Sequence, residues 1–183
     1  MRDQTLFSSL PDQARLWIYA SDRTLQKDEI HQIRLLFDEF IADWHSHGRK
    51  VSAEFDILHN RFVLLAANIP DADISGCGID ASVHALEQIA HRAGFSILSG
   101  LHILYKSGAG TIESAPRPVF RQLVRTESIT GETIVFDTSL THVHQLRAGS
   151  FELPAQSSWH ATVFRIPNIP PVSYSASQRN LHD

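Results

Sequence analysis

Cysteine is almost missing from this chain: Cys77 is the sole example among 183 residues. No internal disulfide can form, which fits a reducing compartment. Long apolar runs are missing as well. No window approaches the roughly 18 uninterrupted apolar residues of a membrane-spanning helix, and Met1-Arg2-Asp3-Gln4 opens no apolar leader. A cytoplasmic protein with neither secretion signal nor membrane anchor is therefore expected. Blocks of one charge are absent too. The 16 basic and 20 acidic residues leave a formal charge of -4 without a long run of either sign, so nothing marks a nucleic acid or an anionic membrane as partner. A phosphate-gripping loop would need a Gly-rich turn from strand to helix ending in Gly-Lys-Ser or Gly-Lys-Thr. The nearest approach, Gly100-Leu101-His102-Ile103-Leu104-Tyr105-Lys106-Ser107, has Tyr105 where the close-packing glycine is required. Its apolar interior reads as the end of a strand, and no nucleotide or other cofactor is expected.

What is present suits one core. Apolar residues make up 43% of the chain, enough for a single domain over 1–167. A Pro-, Ser- and Asn-containing tail over 168–183 has little to bury. The 11 histidines break an otherwise even charge balance, since they gain charge as pH falls through about 6.5. Leu16-Trp17-Ile18-Tyr19 is bulky and β-branched and predicts a strand. From 25 to 47, Ile30, Ile33, Phe37, Phe40 or Ile41, and Trp44 recur at spacings of three and four, one stripe of a long helix. Thr24 is its expected N-cap and Gly48 its closing residue.

The stretch 51–93 organises the rest. Residues 51–58 alternate, with Ala53, Phe55 and Ile57 opposed to Ser52, Glu54 and Asp56. Residues 62–68 are apolar on both faces and predict a central strand. A tight turn at His59-Asn60-Arg61 joins them. A loop is expected over 71–80, then a helix to about Arg92 with Val83, Leu86 and Ile89 inward and Gly94 stopping it. Beyond it come one or two strands over 95–98 and 101–105 and a Gly/Pro/Ser-rich connection over 106–118. A helical turn over 120–124 and a strand over 133–136 follow. Residues 139–146 fit a strand or a short helix.

Cys77 lies between Gly76 and Gly78 at the loop-to-helix junction. In a first helical turn, backbone donors would favour its thiolate. A nucleophile also needs a base, and His84, His91, His59, His102 and His160 are candidates, with Asp80 placed either to orient that base or to cap the helix. Backbone N–H groups of Gly76 and Gly78 would then serve an oxyanion. The structural alternative is a small thiol packed under a Gly-rich turn. His84, Glu87 and His91 form one helix side and are zinc or iron ligand types. At 1.5 Å per residue, though, His84 and His91 stand about 10 Å apart along the axis, so a wet face is the plainer reading. His45 and His47 are expected at a helix C-terminus, bonding its last carbonyls. His142 and His144 share a face if that segment is a strand. Glu54 and Asp56 share a strand face. Trp17, Trp44 and Trp159 read as packing anchors, and Ser157-Ser158-Trp159-His160 as a polar loop at the core edge.

Four stretches also look familiar together. They are Leu16-Trp17-Ile18-Tyr19-Ala20-Ser21-Asp22-Arg23, Leu58-His59-Asn60-Arg61-Phe62, Ser75-Gly76-Cys77-Gly78-Ile79-Asp80 followed by Ser82-Val83, and Pro154-Ala155 with Ser158-Trp159. They resemble a family of small cytoplasmic proteins from the Bacteroidetes and Chlorobi group, often labelled "ABC transporter ATPase" although their activity is unassigned. The resemblance covers about residues 5–164. The family commonly has Ser-Gly-Cys-Ser-Ile-Asp-Ser-Ser-Val where this chain has Gly78 and Ala81 in place of two serines. It has a basic residue where His84 stands here. The resemblance implies a short helix around His142 and His144, which weakens that pair as a site.

The fold expected is α+β: a mostly antiparallel sheet with two principal helices on one face, in a ferredoxin-like order with a C-terminal elaboration. A mixed sheet covered on both faces is the competing architecture. The function expected is a soluble binding or interaction domain without nucleotide hydrolysis, its partner a small molecule or a protein, with association of two copies left open. The alternatives are an enzyme using Cys77 with a histidine such as His84, and a histidine-based metal-binding protein for which no ligand set is assigned.

Overall fold

The computed structural model of the chain describes residues 6–167; the tail expected over 168–183 lies outside them. The central strand is legible in its burial. In β5 (Phe62–Asn68) every residue from Phe62 to Ala67 is buried, as a strand apolar on both faces must be. It pairs antiparallel with β1 (Arg15–Ala20) on one side and β4 (Ser52–Leu58) on the other. The β4–β5 connection is the three residues His59, Asn60 and Arg61; His59 and Asn60 take φ +52 and +50, the left-handed pair of a type I′ turn closed by the Arg61 N–H donating to Leu58 O at 3.0 Å.

Because side chains alternate along a strand, the register sorts them into two cores. Trp17, Leu65 and Phe55 lie in one row and face the principal helices, α1 (Lys27–Ala42) and α2 (Gly76–Ala93). Phe37 of α1 stacks on Phe55 with ring centroids 4.8 Å apart. Leu16, Ile18, Phe62 and Leu64 face the other way, into a core completed by Leu104, Phe136, Leu146 and Phe151. Full burial of Phe62, Leu64 and Leu65 stabilises by about 1.5–3 kcal/mol each. The fold is thus α+β with a three-stranded antiparallel sheet covered on both faces.

The cover on the second face is a second antiparallel sheet. Its strands β6 (His102–Lys106), β7 (Ile112–Pro116), β8 (Ile134–Phe136) and β9 (Glu152–Pro154) run in the order β7-β6-β8-β9. Three short helices serve it: α3 (Arg117–Arg125), α4 (Val143–Arg147) and α5 (Trp159–Phe164). A third core under α3 and α5 gathers Ile103, Phe120, Val135 and Phe164. Among the described residues no helix is long and apolar enough to cross a membrane.

The long first helix stops earlier than its stripe suggests. Its N-cap is Gln26, not Thr24; the Gln26 N–H donates to Glu29 at 2.7 Å. After Ala42 the chain turns into a small hairpin, β2 (His45–Ser46) with β3 (Arg49–Lys50). Gly48, at φ +74 beside His47 at φ +50, makes that hairpin's turn and closes no helix. The reason is Trp44. It is buried, 5.1 Å from Phe40 and 6.4 Å from Trp17 between ring centroids, and its indole N–H donates to the carbonyl of Gly78 at 3.1 Å. Lys50 bonds the last carbonyls of α1, at Ile41 and Ala42, and His45, now in the hairpin, reaches the carbonyl of the C-cap Asp43.

Other boundaries move as well. Residues 76–80 belong to α2, whose N-cap is Ser75, so Asp80 caps nothing; Gly94 ends the helix at φ +73 as expected. Residues 106–118 include strand β7, paired with β6 through a turn that has Gly110 at φ +80, and Pro118 sits in the first turn of α3, where its missing N–H costs nothing. Residues 95–98 form no ladder. They touch the end of β1 and the residues just past it through one bridge, Ser21 with Ile97, supported by Leu98 N–H to Ala20 O at 2.8 Å and Asp22 N–H to Ser96 O at 2.9 Å. The segment 139–146 divides: His142 is extended and bridges Arg15 of β1, and as N-cap it opens the short helix α4 at Val143.

Candidate functional site

Cys77 occupies the first turn of α2 and is exposed. Its neighbours are committed elsewhere. Ser75 accepts from the Gly78 N–H at 3.2 Å and pairs its hydroxyl with that of Ser46 at 2.8 Å. The Ser75 N–H in turn donates to Ser46 Oγ at 3.1 Å. Gly78 is buried, and a Cβ there would stand 3.0 Å from both Cβ and Oγ of Ser46 and from a methyl of Ile74. Gly76 is open, with nothing within 4 Å of such a Cβ. The glycine at 78 therefore serves a close approach between α2 and the hairpin, and its N–H already has an acceptor.

His84 stands two turns further along α2, 3.5 Å from Glu87, both side chains more than half exposed. Among the described residues no hydrogen bond joins Cys77 to His84 or to any other histidine, and Asp80 is an exposed carboxylate. The remaining histidines scatter. His45 lies 2.9 Å from the carbonyl of Asp43. The rings of His142 and His144 stack at 5.7 Å at the start of a helix. Among the described residues no three His, Cys, Asp or Glu side chains stand together as a metal set.

The structure assembles a different place. Beside β1, the segment 95–102 touches the sheet at its single bridge and then peels away to enter β6. That departure leaves a cleft of about 690 Å³ between the β1 edge and α2, a volume typical of small-molecule sites. Ile18, Ala20, Val83, Leu86 and Ile97 give it apolar walls. Glu87 and His91 line it from α2, Ser99 and His102 from the departing segment, and Tyr19 from β1. The spacing that put Glu87 and His91 on one side of a helix thus delivers both to the cleft. Ser99 Oγ lies 3.2 Å from His102 Nδ1. Burial pushes the Tyr19 hydroxyl above its ordinary pKa, which keeps it a neutral donor. The groups from the departing segment had no local signal: their role depends on where the chain leaves the sheet.

A second cluster joins the β4–β5 turn to the second sheet. His59 Nε2 lies 2.7 Å from Glu152 Oε2, and Lys106 pairs with the other carboxylate oxygen. Burial raises the Glu152 pKa, but the bonds from Lys106 and His59 outweigh it and hold the carboxyl below its ordinary value. The His59 ring meets Phe136 edge-on at 5.5 Å. An imidazole oriented by a carboxylate can transfer protons, and the same bonds fasten the turn. Sequence separations of 93 and 46 residues hid this grouping.

His160 is a core residue, 1% exposed. Burial pushes its pKa down to about 4, with Asp137 opposing and Arg117 reinforcing the shift. Its Nδ1 is 3.0 Å from Ser158 Oγ, and its ring stacks on Trp159 at 3.8 Å. It is neutral and structural.

No protein-family model, curated protein sequence or solved structure matches the chain.

Proposed function

We propose that this chain is a binding domain that takes a small, mainly apolar molecule with one polar or anionic end into the cleft between α2 and residues 95–102. The observation that carries the reading is the cleft itself: apolar walls from two elements with His91, Ser99 and His102 among its lining. Burying an apolar body there supplies affinity, and the few polar groups fix its orientation. Nothing in the arrangement needs nucleotide hydrolysis. The test uses anilinonaphthalene sulfonate, a probe with an apolar body and an anionic end. Saturable binding to the native protein, lost in Val83→Trp at unchanged thermal stability, is expected. Equal binding by that variant would refute the assignment.

Three finer inferences accompany it. The order β1-β5-β4, with Ile97 bridged to Ser21 just past β1 on the side away from β5, supports a ferredoxin-like unit whose fourth strand has shrunk to one bridge. Membership in the Bacteroidetes and Chlorobi family rests on the motif at 75–83. A cytoplasmic location rests on the single cysteine.

The second reading is catalysis by Cys77, favoured by one observation: the thiol is exposed in the first turn of an 18-residue helix whose first turn holds no acidic residue. Its base would have to arrive with substrate. Native-state alkylation should be rapid, and a rate that falls with pH as an ordinary thiol near 8.5 does would leave no activated nucleophile.

A further inference from the structure

Helix α3 carries Arg117, Arg121 and Arg125 at intervals of four, all exposed. Residues so spaced lie along one side of a helix, about 6 Å apart per interval. Arg121 and Arg125 line a cleft of about 710 Å³, and Arg165 lines it from the end of α5. Three guanidinium groups from two elements therefore share one cavity on a chain whose net charge is -4. One carboxylate, Glu127, also lines it. Yet the arginines that form ion pairs among the described residues are Arg23, Arg34 and Arg147; those of this cleft form none.

Two further details bear on what the cleft accepts. The Arg121 guanidinium lies over the Phe164 ring at 5.8 Å, and that of Arg117 over Trp159 at 6.0 Å. Stacking limits the freedom of these long side chains in advance and so lowers the entropy lost on binding. Arg165 follows α5 in the left-handed conformation, φ +55, a position that ordinarily favours glycine. The remaining walls include Val124, Val163 and Phe164.

We infer that the cleft between α3 and the end of α5 binds a small phosphorylated molecule, its phosphoryl oxygens held by Arg121, Arg125 and Arg165 and its body laid against the exposed side chain of Val163. The chemistry points this way because a guanidinium fork matches pairs of phosphoryl oxygens, and three such groups answer more than one negative charge. The volume suits a small molecule. A nucleic acid would call for exposed rings on which bases stack, whereas Phe164 is buried and Trp159 is already covered by Arg117 and His160. This site is separate from the cleft beside β1, and neither assignment depends on the other.

The probe is inorganic pyrophosphate, titrated into the full-length protein near physiological ionic strength, where purely diffuse attraction is screened beyond about 8 Å, with binding read by calorimetry and phosphorus NMR. Saturable binding to one site is expected. Arg121→Ala and Arg165→Ala should each weaken it about tenfold or more, because each removes a charged hydrogen-bond donor pair. Arg121→Lys keeps the charge without the fork and should recover part of the loss. Arg92→Ala, an exposed arginine on α2, should change nothing. Circular dichroism and thermal unfolding confirm that each variant is folded. Absence of saturable binding, an equal loss in Arg92→Ala, or tighter binding of a hexaglutamate peptide than of pyrophosphate would overturn the proposal, the last by making this face a protein-docking surface.

Discussion

Replacing Gly78 by alanine sets two effects against each other in a way that the neighbouring Gly76 does not. Alanine in a helix gains up to about 1 kcal/mol over glycine. At Gly76 nothing opposes that gain, since a Cβ there has no atom within 4 Å; Gly76→Ala should stabilise by a few tenths to about 1 kcal/mol. At Gly78 the new methyl meets Ile74 and Ser46 at 3.0 Å. Ile74 is buried, and Ser46 is held by its two bonds to Ser75, at 2.8 and 3.1 Å. Overpacking costs about 1–3 kcal/mol, and displacing Ser46 from a bond to the helix cap costs about 0.5–1.5 kcal/mol more. Against a propensity gain of about 1 kcal/mol, Gly78→Ala should destabilise by about 0.5–3.5 kcal/mol. Urea unfolding of the two variants side by side measures the difference, and near-ultraviolet dichroism of Trp44, whose indole bonds to the Gly78 carbonyl, reports the displacement directly. If Gly78→Ala matched Gly76→Ala, the close approach of hairpin and helix would not be what requires glycine at 78.

Three further outcomes follow from packing and charge. Phe62→Ala should cost about 3–5 kcal/mol in denaturant titration, because this ring is fully buried and meets Phe136 at 4.7 Å and Phe151 at 5.0 Å between centroids. His160 has a folded pKa pushed down to about 4, so the unfolded chain takes its proton first as pH falls. The stability it supports is full above about 6.5 and is lost toward pH 4; His160→Phe should flatten that slope in urea midpoints measured across this window, while the lost bond to Ser158 lowers stability at neutral pH by about 0.5–1.5 kcal/mol. Glu29 works in the same direction at lower pH. Arg23 and the Gln26 N–H hold its carboxyl down to about 2, so its contribution is present above about 4.5 and fades as pH approaches 2; Glu29→Gln should make the acid limb of the same curve shallower.

The two principal helices and the central strand were legible because each carries its periodicity over several turns or residues: Ile33 and Phe37, Leu86 and Ile89, and the doubly apolar Phe62–Asn68. The end of α1 was not, because Trp44 fits the helical stripe as well as it fits the hairpin. What decides is an indole bond to Gly78, 34 residues away, and no local pattern contains it. Strand β7 was hidden for a related reason. Ile112 and Ala115 sit among glycines, serines and prolines that read as a connection, and pairing with β6 overrides that composition.

The candidate sites divide along the same line. Spacing placed Glu87 and His91 together correctly, but it could not show that they face a cleft, because the cleft exists only where residues 95–102 abandon the sheet after one bridge. The arginine row is the opposite case. Arg117, Arg121 and Arg125 repeat every four residues, a signal plain in the sequence once the helix is known to run from Arg117 to Arg125. A helical turn confined to 120–124 holds one arginine and shows no row at all. The Gly/Pro/Ser-rich connection expected over 106–118 absorbed Pro118, yet proline is at home in a first turn, where no intrahelical acceptor awaits its N–H. Recognising that one allowed position extends the helix, brings three guanidinium groups onto one side, and turns two of them toward Arg165 across a shared cleft.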